Sequence, residues 1–118
     1  MNQTEQTRAF IQDYFDAVSA GRLEDIPIAA DCSYTGSMLS DNIHGGEAVR
    51  GHIGQIAPFV ERFELKRVVV EGADAAVIVD LIGFGGRTVE GVVFFEVEGG
   101  HLKSMNNLFD TRQLLGSF

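Results

Sequence analysis

Four polar side chains of this 118-residue chain interrupt stretches that otherwise read as core. They are Tyr14 in AFIQDYFDAV, Tyr34 in CSYTG, Asp80 in AAVIVDLIG and Asn107 in SMNNLF. A carboxyl, two phenols and an amide are residue types that serve acid–base and hydrogen-bonding chemistry. Asp80 poses the sharpest question, because every other residue from Ala75 to Ile82 is apolar. A carboxylate buried there without compensation costs several kcal/mol. Either it is a satisfied structural group, or it faces a cavity where a carboxylate is useful. For Tyr14 and Asn107 taken singly, ordinary roles suffice: a buried tyrosine finds one hydrogen-bond partner, and an asparagine near a strand end serves a turn.

Other chemistries lack their residues. GFGGRTVEG has the glycines of a phosphate cradle but lacks the fingerprint spacing and runs into a strand, so no helix N-terminus would meet a pyrophosphate. His44, His52 and His101 are far apart with no paired-histidine motif, which excludes a recognisable metal site. His52 falls on the apolar face of a helical segment and reads as a packing residue. There is no nucleophile elbow for serine hydrolysis. Cys32 is the single cysteine and reads as a small buried hydrophobe in a reducing, cytoplasmic setting.

The elements that must position these groups follow from periodicity. Phe10, Ile11, Tyr14, Phe15 and Val18 recur at helical spacing, so the first helix spans about residues 4–20, capped by Thr4 or Asn2 and stopped by Gly21. A short second helix is expected in RLEDIPIAA. CSYTGSMLSDN reads as a short strand and loop. GGEAVRGHIGQIA sets Val49, His52, Ile53 and Ile56 on one face of a third helix that ends near Pro58. The period then drops to two in FELKRVVVEG, AAVIVDLIG, RTVEGVVFFEVE and HLKSMNNLFDT, separated by the turns EGAD, GFGG and EGG. Loops this short join antiparallel strands. Helices followed by a meander make one α+β domain over residues 1–118. In the third run Val89, Gly91, Val93, Phe95 and Val97 form an apolar face for the helices. Val92 and Phe94 stand on the opposite face between glutamates, which marks an oligomer contact.

Charge narrows the partners. A formal net charge of −8, with Lys66-Arg67 as the only basic cluster, disfavours nucleic acid and anionic membrane surfaces. No apolar run is long enough to span a bilayer, and the polar start MNQTEQTRAF has no signal-peptide pattern.

With this layout the chain resembles the nuclear transport factor 2-like superfamily, which includes SnoaL-like polyketide cyclases, ketosteroid isomerase and limonene epoxide hydrolase. The likeness covers nearly the whole chain and rests on AVSAGRLEDI, IHGGEAVRGHI and EGGHLKSMNNLFD. It implies a cone: three N-terminal helices closing over a strongly curved, mainly antiparallel sheet that encloses an apolar pocket. It puts Tyr14 at the position of the isomerase's oxyanion tyrosine, but Gly36 and Val93 where that enzyme keeps its aspartate base and oxyanion-hole acid. Against the epoxide hydrolase, Asp80 matches the epoxide-protonating aspartate, Tyr34 a water-positioning tyrosine and Asn107 the base-side aspartate. Ile78 replaces an arginine of that charge network.

The resemblance also faces Asp80 into the cone with Ala76, Ile78 and Ile82, leaving Val77, Val79 and Leu81 outside. The pocket lining it implies is Val18, Tyr34, Ile53, Ile78, Val93, Phe95, Met105 and Phe109, together with Tyr14, Asp80 and Asn107. The expected function is cofactor-free, metal-free proton transfer on an apolar small molecule: isomerisation, dehydration or cyclisation. Asp80 would be the acid or base, and Tyr14 with Asn107 would bind a carbonyl or enolate oxygen. The alternative is a non-catalytic ligand-binding or dimerisation module of the same fold. A homodimer through the outer sheet face is expected in either case.

Overall fold

A computed structural model describes residues 2–37 and 41–110. Helix α1 covers Gln3–Ala20. Asn2 caps it, its side chain accepting from the Glu5 N–H at 2.8 Å, and Gly21 ends it in the left-handed region at φ 73°. Thr4 has another task. Its Oγ1 accepts from the Gly72 N–H at 3.0 Å, while the fully buried Thr7 donates to the Gly72 carbonyl at 2.7 Å. The first turn of α1 thereby pins a hairpin nearly seventy residues away in the chain.

RLEDIPIAA does not form the expected second α-helix. Leu23–Asp25 makes a single 3-10 turn, and Ile28 already opens strand β1 (Ile28–Gly36). Pro27 is the physical reason: it has no N–H to give a helix and drives the residue before it out of the helical region, and Ile26 is extended at φ −85°, ψ 116°. The described residues therefore carry two α-helices, α1 and α2 (Gly46–Ile56), where three were expected. The short β2 (Ile43–His44) precedes α2, and a 3-10 turn at Ala57–Phe59 follows it. The middle of CSYTGSMLSDN, at positions 38–40, lies outside the described residues.

Strands β3 (Val60–Glu71), β4 (Asp74–Gly83), β5 (Arg87–Glu98) and β6 (His101–Phe109) form the expected antiparallel meander. The chain enters β3 earlier than the period implies, directly after the turn that carries Pro58. β1 pairs with β6 in parallel, so the order across the six-stranded sheet is β2-β1-β6-β5-β4-β3. Register shifts in β3, between Val60 and Arg62 and between Leu65 and Arg67, are extra residues that bend and twist the sheet.

Val77 and Val79 of β4, Val93, Phe95 and Val97 of β5, and Leu102 and Met105 of β6 face Phe10, Ile11, Tyr14, Phe15 and Val18 of α1 in one continuous core. Tyr14 and Phe15 both meet the Phe95 ring edge-on, at 5.3 and 5.8 Å between centroids. Gly91 is buried in that face because a side chain has no room there. A Cβ would lie 2.4 Å from the Phe109 ring, which rests over the strand at this point.

Candidate functional site

A cavity of about 330 Å³ lies between the two helices and the inner face of the sheet. α1 lends it Tyr14, Phe15 and Val18; α2 lends His52, Ile53, Gln55 and Ile56. β1 brings Tyr34 and Gly36, β4 Leu81, β5 Val89 and Val93, and β6 Asn107 and Phe109. Phe59 and Phe84 stack at 5.6 Å with their planes 5° apart, both lining the cavity, and Phe59 is 58% exposed. Phe84 holds a positive φ of 53°, fixed by its N–H on the Phe59 carbonyl and by Arg87 on its own carbonyl.

The polar groups converge from distant parts of the chain. Asn107 Nδ2 donates to the Tyr34 Oη, joining β6 to β1 across the cavity wall. The Tyr34 ring meets the His52 imidazole edge-on at 4.8 Å. Tyr14 Oη donates to the Met105 sulfur at 3.5 Å. Ser37 bonds both backbone groups of Phe109 at 3.1 Å, fixing the strand end that carries that ring.

Burial dominates the electrostatics. It pushes the Tyr14 phenol well above its ordinary range, with the neighbouring Tyr34 and Cys32 adding to the effect. It also pushes Tyr34 up to about 12, against the opposing hydrogen bond from Asn107. His52 moves the other way, because burial penalises its charged form. Both phenols are therefore neutral hydrogen-bond donors at physiological pH, and His52 is held as the free imidazole.

Of the residues picked out from the sequence, Tyr14, Val18, Tyr34, Ile53, Val93, Asn107 and Phe109 line the cavity. Phe95 and Met105 do not; both are buried in the core, where they support the ring and hydroxyl of Tyr14. Asp80 and Ile78 point the opposite way to the expectation. In β4 the inward residues are Ala75, Val77, Val79 and Leu81, and Asp80 pairs laterally with Glu64 and Glu90, both exposed. Its carboxylate lies 3.3 Å from Lys66 Nζ, which also meets Glu90 at 2.7 Å. Asp80 is thus a member of an ion triplet across the outer faces of β3, β4 and β5. Val77, Val79 and Leu81, expected outside, are core.

The cavity residues that sequence reasoning missed are chiefly His52, Gln55, Ser37, Phe63, Phe84 and Leu81. The helical face of Val49, His52 and Ile53 is the sequence signal for His52, and it is the same for a packing ring as for one that lines a cavity. Among the described residues no cluster of His, Cys, Asp or Glu could hold a metal ion, and no helix is long and apolar enough to cross a membrane.

Residues 11–105 match the SnoaL-like domain. No curated protein matches the sequence. A candidate ketosteroid isomerase from Kribbella flavida DSM 17836 is 28% identical, with a TM-score of 0.81 over 93% of this chain and 82% of that one. An LEH-like epoxide hydrolase from M. tuberculosis is 16% identical with a TM-score of 0.80, covering 96% of this chain and 89% of that one. A candidate SnoaL-like polyketide cyclase from Jannaschia sp. CCS1 is 17% identical with a TM-score of 0.78, over 98% and 92%. At such identities the last two speak for the fold alone.

Proposed function

This chain belongs to the SnoaL-like domain family, and we propose that its cavity binds an apolar, cyclic small molecule and shifts a proton within it without a cofactor. Isomerisation, dehydration and cyclisation are the reactions that fit. The observation that carries the reading is the cavity itself: about 330 Å³, walled by aliphatic and aromatic side chains, with Tyr14, Tyr34 and Asn107 converging on it. That is the composition of a small-molecule site, with few polar groups to fix orientation.

The hydrogen-bond partners support a division of labour. A thioether is a weak acceptor, so a ligand oxygen would draw the Tyr14 hydroxyl away from Met105. Asn107 acts by holding the Tyr34 oxygen, which leaves the Tyr34 proton to donate into the cavity. Asp80 has no part in this.

One observation favours a non-catalytic binding module instead. Gly36 and Val93 line the cavity at the positions where the resemblance expects carboxyl groups. Binding and turnover of mono- and bicyclic ketones, followed by heteronuclear NMR, test both readings. Shifts at Tyr14, Val18, Tyr34 and Phe109 support a ligand site; turnover in addition supports the enzyme. Shifts absent from those residues refute the reading.

The protein is further proposed to act as a homodimer, in a reducing cytoplasmic setting, with the outer sheet face as the contact. Phe94 and Leu108 on that face are 45% exposed and Val69 is 50% exposed, flanked by Ile78 and Val92. Sedimentation at micromolar concentration should give twice the chain mass, and Phe94→Glu should return it to a monomer. A wild-type mass that stays monomeric refutes the contact.

A further inference from the structure

We infer that His52 is the proton-carrying group of this cavity, with the Tyr34 hydroxyl as the donor to the substrate oxygen, for a substrate that is an apolar ketone with an acidic α-carbon. The inference rests on the reading of the cavity as a proton-transfer site and names its machinery.

The ionisable groups lining the cavity among the described residues are Tyr14, Tyr34 and His52; no Asp, Glu, Lys or Arg lines it. Both phenols hold their protons near neutrality, since burial raises them. His52 is half-buried on α2, and its ring nitrogens have no hydrogen-bond partner among the described residues. Among the described residues, the titratable groups that share the cavity with it are Tyr34 of β1, whose ring it meets, and Tyr14 of α1. On its own helix, Arg50 is turned away onto the Leu23 and Ile26 carbonyls, and Glu47 is exposed. Among the described residues no charged group meets the ring to stabilise the imidazolium, and burial lowers its proton affinity.

Base and donor stand side by side. The His52 and Tyr34 rings are 4.8 Å apart at their centroids, so one small ketone can touch both. Tyr34 Oη is occupied as an acceptor by Asn107, which leaves its proton as the free end of the pair. In the step, an imidazole nitrogen lone pair takes the α-proton as the C–H bond breaks. The released electron pair becomes the carbon–carbon double bond of an enolate whose oxygen accepts from Tyr34. The imidazolium then returns the proton to carbon, at the same or a conjugated position. No electrons leave the system and no co-reactant is needed.

The probe is 2-tetralone, an apolar bicyclic ketone, with exchange of its C1 hydrogens into deuterated solvent followed by NMR on the intact protein. Exchange should rise with pH and level off, with its inflection below the ordinary histidine value of 6.5. His52→Gln should lose about 100-fold or more, the lower range for a general base, and lose the inflection while still binding tetralone. Tyr34→Phe should slow exchange by about 10-fold or more and keep the inflection. His101→Gln, at the exposed start of β6, is the control and should match the wild type. Titration of the His52 ring itself should give the same inflection, a measurement that does not depend on any variant folding. If tetralone binds but exchange is absent, or persists in His52→Gln, the inference is overturned and the cavity remains a binding site. If tetralone moves no cavity resonance, both the inference and the reading beneath it fall.

Discussion

Gly91→Ala tests the link between the sheet and the cavity. Gly91 lies on the inner face of β5 opposite Phe109, and an added Cβ would sit 2.4 Å from one ring carbon and 2.8 Å from two others. Ordinary carbon–carbon contact begins near 3.5 Å, so the ring must retreat by about 1 Å or more. Ser37 holds the Phe109 backbone through two hydrogen bonds of 3.1 Å, so the displacement falls on the side chain and not on the strand. Phe109 lines the cavity, and its displacement also changes the space offered to a ligand. Overpacking of this kind costs about 1–3 kcal/mol. A chain of this size should lose roughly 4 °C of midpoint per kcal/mol. Urea unfolding of Gly91→Ala, Phe109→Ala and the double variant gives the assay. Truncating the half-buried ring alone should cost about 1–2 kcal/mol. With the ring gone the new methyl meets open space, so the double variant should fall short of the sum by about 1–2 kcal/mol. Strictly additive costs, or a Gly91→Ala variant as stable as the wild type, would refute the reasoning.

Further outcomes follow from other contacts. Thr7→Val keeps the shape of a fully buried side chain but strands the Gly72 carbonyl, and urea unfolding should register a loss of about 1–3 kcal/mol; unchanged stability would mean the α1-to-hairpin bond contributes nothing. Asp80→Asn removes one arm of an ion triplet whose Lys66 is 45% exposed and keeps Glu90, so the loss should be about 1 kcal/mol, and a loss above roughly 3 kcal/mol would contradict a partly solvated outer-face pair. His52 binds its proton less readily when folded than when unfolded, so its contribution to stability should decline as pH falls below 6.5 and level off beneath the folded value. In His52→Gln that acid-side decline should be shallower, as read from urea midpoints between pH 7 and pH 5; identical pH profiles would show that the ring is not desolvated.

Local rules settled much of this molecule. The Phe10–Val18 stripe with Asn2 and Gly21 at its ends defines α1, because capping and a 3.6-residue period are properties of the segment itself. The three glycine-bearing turns define a meander, because so few residues can join only antiparallel neighbours. Pro27 is an equally local signal: it converts an apparent helix into the start of β1. Tyr14 and Asn107 border one cavity because the helix stripe must lie across the sheet and the two-residue period of β6 puts Asn107 on the inner side.

The facing of β4 was beyond local rules. AAVIVDLI is apolar on both faces, and a period of two only alternates; it does not say which set turns inward. The decision came from the neighbouring strands, where Lys66 and Glu90 stand on the outer face and pair with Asp80, while Val89 and Val93 continue the inner face beside Leu81. The carboxylate that looked like a pocket acid was thereby placed outside. That the His52 ring opens onto the cavity became visible only when α2 was packed against β1, because a helical face shared with Val49 and Ile53 is the same pattern for a packing ring and for one that lines a cavity. The elements were set by forces acting within a few residues, the break at Pro27 included. Which polar groups meet in the cavity was decided by side chains brought together from opposite ends of the chain, and only the tertiary structure contains those distances.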